Sequence, residues 1–319
     1  MLIDRKAAKS VGDEVRSGQG YNGRIATDFY NMINEYHRLN LYDDYQIEKT
    51  LLRQQELDVE GIKNREPRRT DVVLFNPSSA GKCPKDLYYR SIGTPEDGLL
   101  LAPYNRRWAE NGTAVHARIQ RDLLYASAYM HDNPFNVALA GELLGPNCKP
   151  NRRNLPAWEN NVLYTKEFTH NGYTFAIRGM CDGYLWYGDK LVNLEIKTKS
   201  TTIAAVGSYK MKEPMPSHVM QCICYSLLFM GNPYEDRVDT SVIFYESLAK
   251  DEWSKGEDAR TDIRTFQVNV TKEDRVALLD KFADVVRCKE IGLPPEADTE
   301  KCLFCKYKDT CREGITCES

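Results

Sequence analysis

Between Val162 and Lys197 apolar runs alternate with two turn signals, Asn171-Gly172 and Gly188-Asp189, and no other stretch restricts the fold as tightly. Asn-Gly suits the positive φ angles of a two-residue hairpin turn. Residues 162–169 and 173–186 therefore read as a β-hairpin, and residues 191–197 as a third strand of the same meander. Strand side chains alternate between faces. Glu195 and Lys197 then share one face, while Ile196 between them points the other way, into the core.

Around this meander the spacing becomes helical. Phe29, Met32, Ile33, Tyr36 and Leu39, then Tyr45, Leu51 and Leu52, predict two helices over residues 27–59. Residues 1–20 are polar and frayed, and residues 60–70 form a charged linker. Asn76-Pro77-Ser78-Ser79 is a helix-start signal, and the helix after it holds Cys83, Leu87, Tyr88 and Arg90. Further helices are expected over 104–129, 217–230 and 270–289, and strands over 238–246 and 263–268. The expected fold is α/β, a mixed central sheet flanked by helices. It divides into a helical N-terminal segment over 1–70 and a main domain over 71–319.

The meander carries chemistry. Asp182 interrupts an apolar run, and Glu195 and Lys197 interrupt another. Charges in such runs are partly buried and need a partner or a metal. An Asp and a Glu can share a hard divalent cation through oxygen. His116, in Gly112-Thr113-Ala114-Val115-His116, is on its own more often structural, but an imidazole can complete such a ligand set. Gln221 and Tyr225 lie four apart and share one face of a helix. Near the C-terminus, Cys302-Leu303-Phe304-Cys305 followed by Cys311 has metal-ligand spacing. With Cys317 it would make a four-thiolate zinc site. With a distant thiolate it would make an iron–sulfur cluster, and spacing leaves both open. Cys148, Cys181, Cys222, Cys224 and Cys288 are scattered and read as small buried apolar residues. Arg106-Arg107, Arg118, Arg121, Arg152-Arg153, Lys197, Lys199, Lys210 and Lys212 are candidates for phosphate contacts, although most such charges are simply solvated.

A net charge of -3 argues against bulk electrostatic attachment to nucleic acid and leaves room for a local basic groove. No apolar run approaches the roughly 18 residues of a membrane span. The opening residues lack the apolar stretch of a secretion signal, so a cytoplasmic location is expected, that of the host if the chain is phage-encoded.

Together the motifs resemble the PD-(D/E)XK nuclease superfamily. Within it the chain is similar to the RecB-like exonucleases that carry an iron–sulfur cluster, among them the CRISPR adaptation nucleases and phage relatives. The resemblance spans residues 76–312. It implies that Cys83, in Ser78-Ser79-Ala80-Gly81-Lys82-Cys83, joins Cys302, Cys305 and Cys311 around a 4Fe-4S cluster, with Cys317 left free. It implies Mg2+ or Mn2+ held by His116, Asp182, Glu195 and the Ile196 carbonyl. Asp182, Glu195, Lys197, Gln221 and Tyr225 would form the catalytic set, and Glu167 matches a further acidic position. The implied activity is metal-dependent exonuclease action on DNA, single-stranded or at a duplex end, in phage or prokaryotic recombination, replication or repair. A homo-oligomer and a recombination or replication protein are the implied partners. No Gly-x-x-x-x-Gly-Lys-Ser/Thr phosphate loop occurs, so a nuclease without its own motor is expected. The rival readings are a non-catalytic DNA-binding or assembly subunit, a DNA endonuclease, and a nuclease directed at RNA.

Overall fold

A computed structural model describes residues 21–64, 71–98, 102–228, 238–249 and 261–316. The expectations for residues 1–20, for the linker after residue 64, for residues 229 and 230 and for Cys317 lie outside these. The described helices are α1 (Arg24–Tyr36), α2 (Tyr45–Lys63), α3 (Pro84–Ser91), α4 (Pro103–Tyr129), α5 (Ala140–Leu144), α6 (Pro216–Leu228), α7 (Lys272–Ile291) and α8 (Lys308–Thr316). The strands are β1 (Val73–Phe75), β2 (Phe135–Val137), β3 (Tyr164–His170), β4 (Tyr173–Gly179), β5 (Gly183–Tyr187), β6 (Lys190–Lys199), β7 (Thr240–Ser247) and β8 (Ile263–Asn269). None of these helices is long and apolar enough to cross a membrane.

The strands make two mixed sheets, ordered β1-β4-β3 and β2-β5-β6-β7-β8. Both flank with helices, as the sequence predicts. In the larger sheet β6 and β7 run parallel, and every position of β7 is buried. Strands covered on both faces read as continuous apolar runs. Val192, Leu194, Ile196, Val242 and Phe244 pack one face against Ile25, Phe29 and Ile33 of α1 and Val115, Ile119 and Leu123 of α4. Leu191, Ile243, Tyr245 and Phe266 pack the other face against Cys222, Ile223 and Leu227 of α6 and Leu278 and Phe282 of α7. Cys148, Cys181, Cys222, Cys224 and Cys288 are all buried, as expected of small apolar side chains. Helix α2 is capped by Asp44, whose carboxylate accepts from the amides of Gln46 and Ile47.

The structure corrects the meander in one respect. Asn171 and Gly172 adopt the positive φ angles of the expected turn, 51° and 84°. The strand expected over 173–186, however, breaks at Met180–Asp182, and its halves β4 and β5 join different sheets. At Gly179 a Cβ would lie 2.6 Å from Cγ of Pro77, so the chain passes the Pro77–Ser79 turn where only glycine fits. Beyond it the backbone carbonyls bond to groups outside the strand ladder. The Tyr225 hydroxyl donates to the Met180 carbonyl at 2.7 Å, the Glu159 amide to Cys181 at 2.8 Å, and the Gln120 amide group to Asp182 at 2.8 Å. The helix after Asn76 also starts later than predicted. A 3-10 turn occupies Pro77–Ser79, and Cys83 stands at the N-cap of α3 rather than inside it.

Candidate metal centre

The break in the strand is what places Asp182. Its Oδ2 accepts a 2.7 Å hydrogen bond from the Ile196 amide. Its Oδ1 faces Nδ1 of His116 on α4 at 3.3 Å. Glu159, in the Glu159–Val162 3-10 turn, brings Oε1 to 3.9 Å from the same His116 nitrogen. One ligand atom from each of His116, Glu159 and Asp182 lies within 4.8 Å of the others, the one such group of three among the described residues. Glu159 has φ of 46°, a left-handed conformation that non-glycine residues rarely adopt. Such strain recurs at functional sites, where the surroundings over-determine it. Gln120, one turn after His116, donates to both the Asp182 carbonyl and, at 3.4 Å, Glu159 Oε1.

Glu195 and Lys197 project together from β6 toward α6, and Ile196 points into the opposite core, as period-two alternation predicts. Glu195 is 0% exposed. The Lys197 ammonium stands against its Oε1, while its Oε2 is buried and finds no hydrogen-bond partner. Burial raises the Glu195 pKa to about 8, and the charge of Asp182 adds to the rise; the Lys197 ammonium opposes it. The Asp182 charge thus reaches Glu195, although Glu195 stands outside the group of three ligand atoms within 4.8 Å. Burial pulls the His116 pKa down, but the carboxylates of Asp182 and Glu159 outweigh it and hold it at about 10. His116, Glu159 and Asp182 offer a nitrogen and carboxylate oxygens that could hold a divalent cation.

Gln221 and Tyr225 lie behind Lys197, both buried. Lys197 Nζ donates to Gln221 Oε1 at 3.1 Å, Gln221 Nε2 to the Tyr225 hydroxyl at 3.1 Å, and that hydroxyl to the Met180 carbonyl. The chain fixes the ammonium and ties it to the backbone beside Asp182. Glu167 lies on the exposed face of β3, outside this group. Three basic residues are committed elsewhere. Arg118 pairs with Asp122 and Glu246, Arg121 with Glu48 and Asp43, and Arg152 with Asp58.

A second cluster forms where α3 meets the C-terminal segment. The Asp298 amide donates to Cys83 Sγ at 3.1 Å and the Tyr307 amide to Cys305 Sγ at 3.5 Å. Burial raises the Cys305 pKa, the Tyr307 amide opposes that, and the nearby Asp86, Cys83 and Cys302 raise it further. Tyr89, packed on Tyr307 at 5.5 Å, feels the charges of both Cys311 and Cys305. Among the described residues no three thiols lie within 4.8 Å of one another. A four-thiolate zinc site with bonds of about 2.3 Å would hold its sulfurs about 3.8 Å apart.

No family model matches the chain, and no curated protein matches it. Among solved structures it is similar to the crystal structure of SSO0001 at 12% identity and TM-score 0.43, over 83% of this chain and 96% of that one. It is similar to an alkaline exonuclease from Laribacter hongkongensis at 10% identity and TM-score 0.35, over 69% of this chain and 94% of that one. A phage-related exonuclease from Haemophilus somnus matches at 14% identity and TM-score 0.27, over 76% of this chain and 97% of that one.

Proposed function

We propose that the chain is a divalent-metal-dependent DNA exonuclease of the PD-(D/E)XK type. The observation that carries this reading is the convergence of His116, Glu159 and Asp182 beside a buried Glu195 whose second oxygen lacks a partner. His116, Glu159, Asp182 and Glu195 would hold Mg2+ or Mn2+, with the Ile196 carbonyl as a further candidate. When bound, such an ion neutralises phosphate charge and acidifies water. Lys197 offers its ammonium to the negative charge that grows on the phosphate oxygens. Gln221 and Tyr225 keep that ammonium aimed, and the Ile196 amide fixes one oxygen of Asp182. A protein that only binds DNA has no use for a carboxylate buried at this cost.

The second element of the reading is a 4Fe-4S cluster on Cys83, Cys302, Cys305 and Cys311. The amide donors to the Cys83 and Cys305 sulfurs support it. A role in recombination, replication or repair, a partner in that process and a homo-oligomer belong to the same proposal.

The test is digestion of end-labelled linear DNA in Mg2+, Mn2+ or EDTA, with circular DNA and RNA in parallel. Metal-dependent loss of linear DNA alone is expected. Cutting of circles would make the enzyme an endonuclease, and no cutting of any substrate would end the nuclease reading. Gln221→Ala should lower the cleavage rate about 10-fold or more with little change in KM, because a loosened Lys197 loses transition-state contact rather than binding. An equal rise in KM with unchanged kcat would instead put Gln221 on the substrate.

A further inference from the structure

Helix α4 carries an apolar stripe that outruns the core it packs on. Val115, Ile119, Leu123 and Ala126 are buried along one face. Counting back at helical spacing, Trp108 and Tyr104 fall on that same face. They are nonetheless 50% and 47% exposed. Their rings pack on each other at 4.6 Å and 56° and leave the remaining faces open. The reason is where the sheet ends. A Cβ at Gly112 would meet Thr198 Oγ1 at 3.4 Å, so residue 112 lies over the last residues of β6. The turns before it overhang the C-terminal end of β6, the strand that carries Glu195 and Lys197 on its other face. Trp108 precedes His116 by eight residues, about 12 Å along the axis at 1.5 Å per residue.

We propose that these first turns of α4 are an arm that binds single-stranded nucleic acid, with bases stacking on Tyr104 and Trp108 and the backbone running on toward the metal centre. The inference rests on the nuclease reading for its class of substrate. Charge complements it. Arg107 flanks the aromatic stripe, whereas Arg106 lies on the far side and pairs with Glu110 at 3.0 Å. Every base offers a π-face, so aromatic platforms with adjacent cations hold strands without reading sequence. Only unpaired bases expose that face, which selects a single strand over a duplex. A subunit contact is the poorer fit. The patch is two rings among Asn105, Arg106, Arg107, Glu110 and Asn111, far from the roughly 1,200–2,000 Å2 of a stable protein interface.

The experiment is anisotropy of a fluorescein-labelled oligothymidylate with the full chain in EDTA, where nothing is cut. Trp108→Ala should weaken binding about 10-fold or more, Tyr104→Ala less, and Trp108→Phe should keep most of it. The wild type should discriminate against an abasic strand of equal length, and Trp108→Ala should lose that discrimination. Affinity unchanged in Trp108→Ala would overturn the proposal. So would a change of oligomeric state by sedimentation with strand affinity intact, which would make the patch a contact between copies. Binding is scored without cleavage, so failure of the arm and failure of the nuclease reading are separate results.

Discussion

Glu195→Gln should abolish metal-dependent cleavage and stabilise the metal-free protein. The loss of rate follows from removing a ligand charge at the pocket, several kcal/mol of transition-state stabilisation and so about a thousandfold or more. The gain in stability follows from burial. Glu195 is fully enclosed, and its folded pKa is raised to about 8 from 4.5. Between those values the folded chain holds a proton that the unfolded chain has released. Wild-type stability therefore falls as pH rises from about 4.5 to about 8 and levels off above. Gln keeps the shape and lacks the titration. The variant should exceed the wild type by about 1–3 kcal/mol above pH 8, less than the full pKa difference implies because Lys197 loses its partner. Urea unfolding in EDTA across pH measures this. Taking the difference between variant and wild type removes most of the contribution of other titrating groups such as His116 and Lys281. Excess Mn2+ should reverse the order, raising the melting temperature of the wild type by several degrees and of the variant hardly at all. A pH-independent difference, or a variant less stable than the wild type at pH 8, would refute the burial account.

The parts of this site that depend on local pattern were legible. Glu195, Ile196 and Lys197 follow from strand alternation, and Gln221 and Tyr225 from the helix period. The approximate positions of the long elements followed from the same periodicities. What the chain hides are consequences of packing. The break at Met180–Asp182 exists because Gly179 passes against Pro77 and distant side chains take up the freed carbonyls. No local signal marks it. Glu159 is a lone acid in a polar loop, recruited by a left-handed backbone that the sequence does not announce. Gln120 could have been found, since it stands four residues after His116 on the same helix. Strands β1 and β2 are three residues each, too short for a periodicity. Arg118, Arg121 and Arg152 looked like phosphate contacts because sequence shows charge without its partner. Arg121 and Arg152 find theirs far along the chain in Glu48 and Asp58, and Arg118 pairs with the distant Glu246 as well as with Asp122 on its own helix. The aromatic overhang of α4 was invisible for the opposite reason: only the sheet edge shows where the stripe stops being core.

Cys83→Ser should cost more stability than any single change at the metal centre. Cys83 precedes Cys302 by 219 residues, the difference of their numbers. A metal cluster that joins them closes a loop of that length, and closing even a 100-residue loop is worth about 4.7 kcal/mol in the chain-entropy account. Other contacts also hold the C-terminal segment near α3, among them the Lys306–Glu96 ion pair, the Asp97 carboxylate with Thr310 and the Asp309 amide, the Asp97 amide with the Lys306 carbonyl, and the tilted rings of Tyr89 and Tyr307. The Glu96 pair is exposed and worth little by itself. Near Cys83, Lys281 is buried, donating to the carbonyls of Ala80 and Lys82, and burial lowers its pKa to about 7. The thiolates of a bound cluster would compensate an ammonium there. The variant should therefore melt about 10 °C or more below the wild type. Anaerobically purified wild type should absorb broadly in the visible and contain about four irons with matching sulfide, and the variant should lose both. Chelation of the wild type should reproduce the fall in melting temperature without any mutation. Colourless protein with one zinc would replace the cluster but keep the staple. A variant that melts with the wild type, with no metal in either, would remove both.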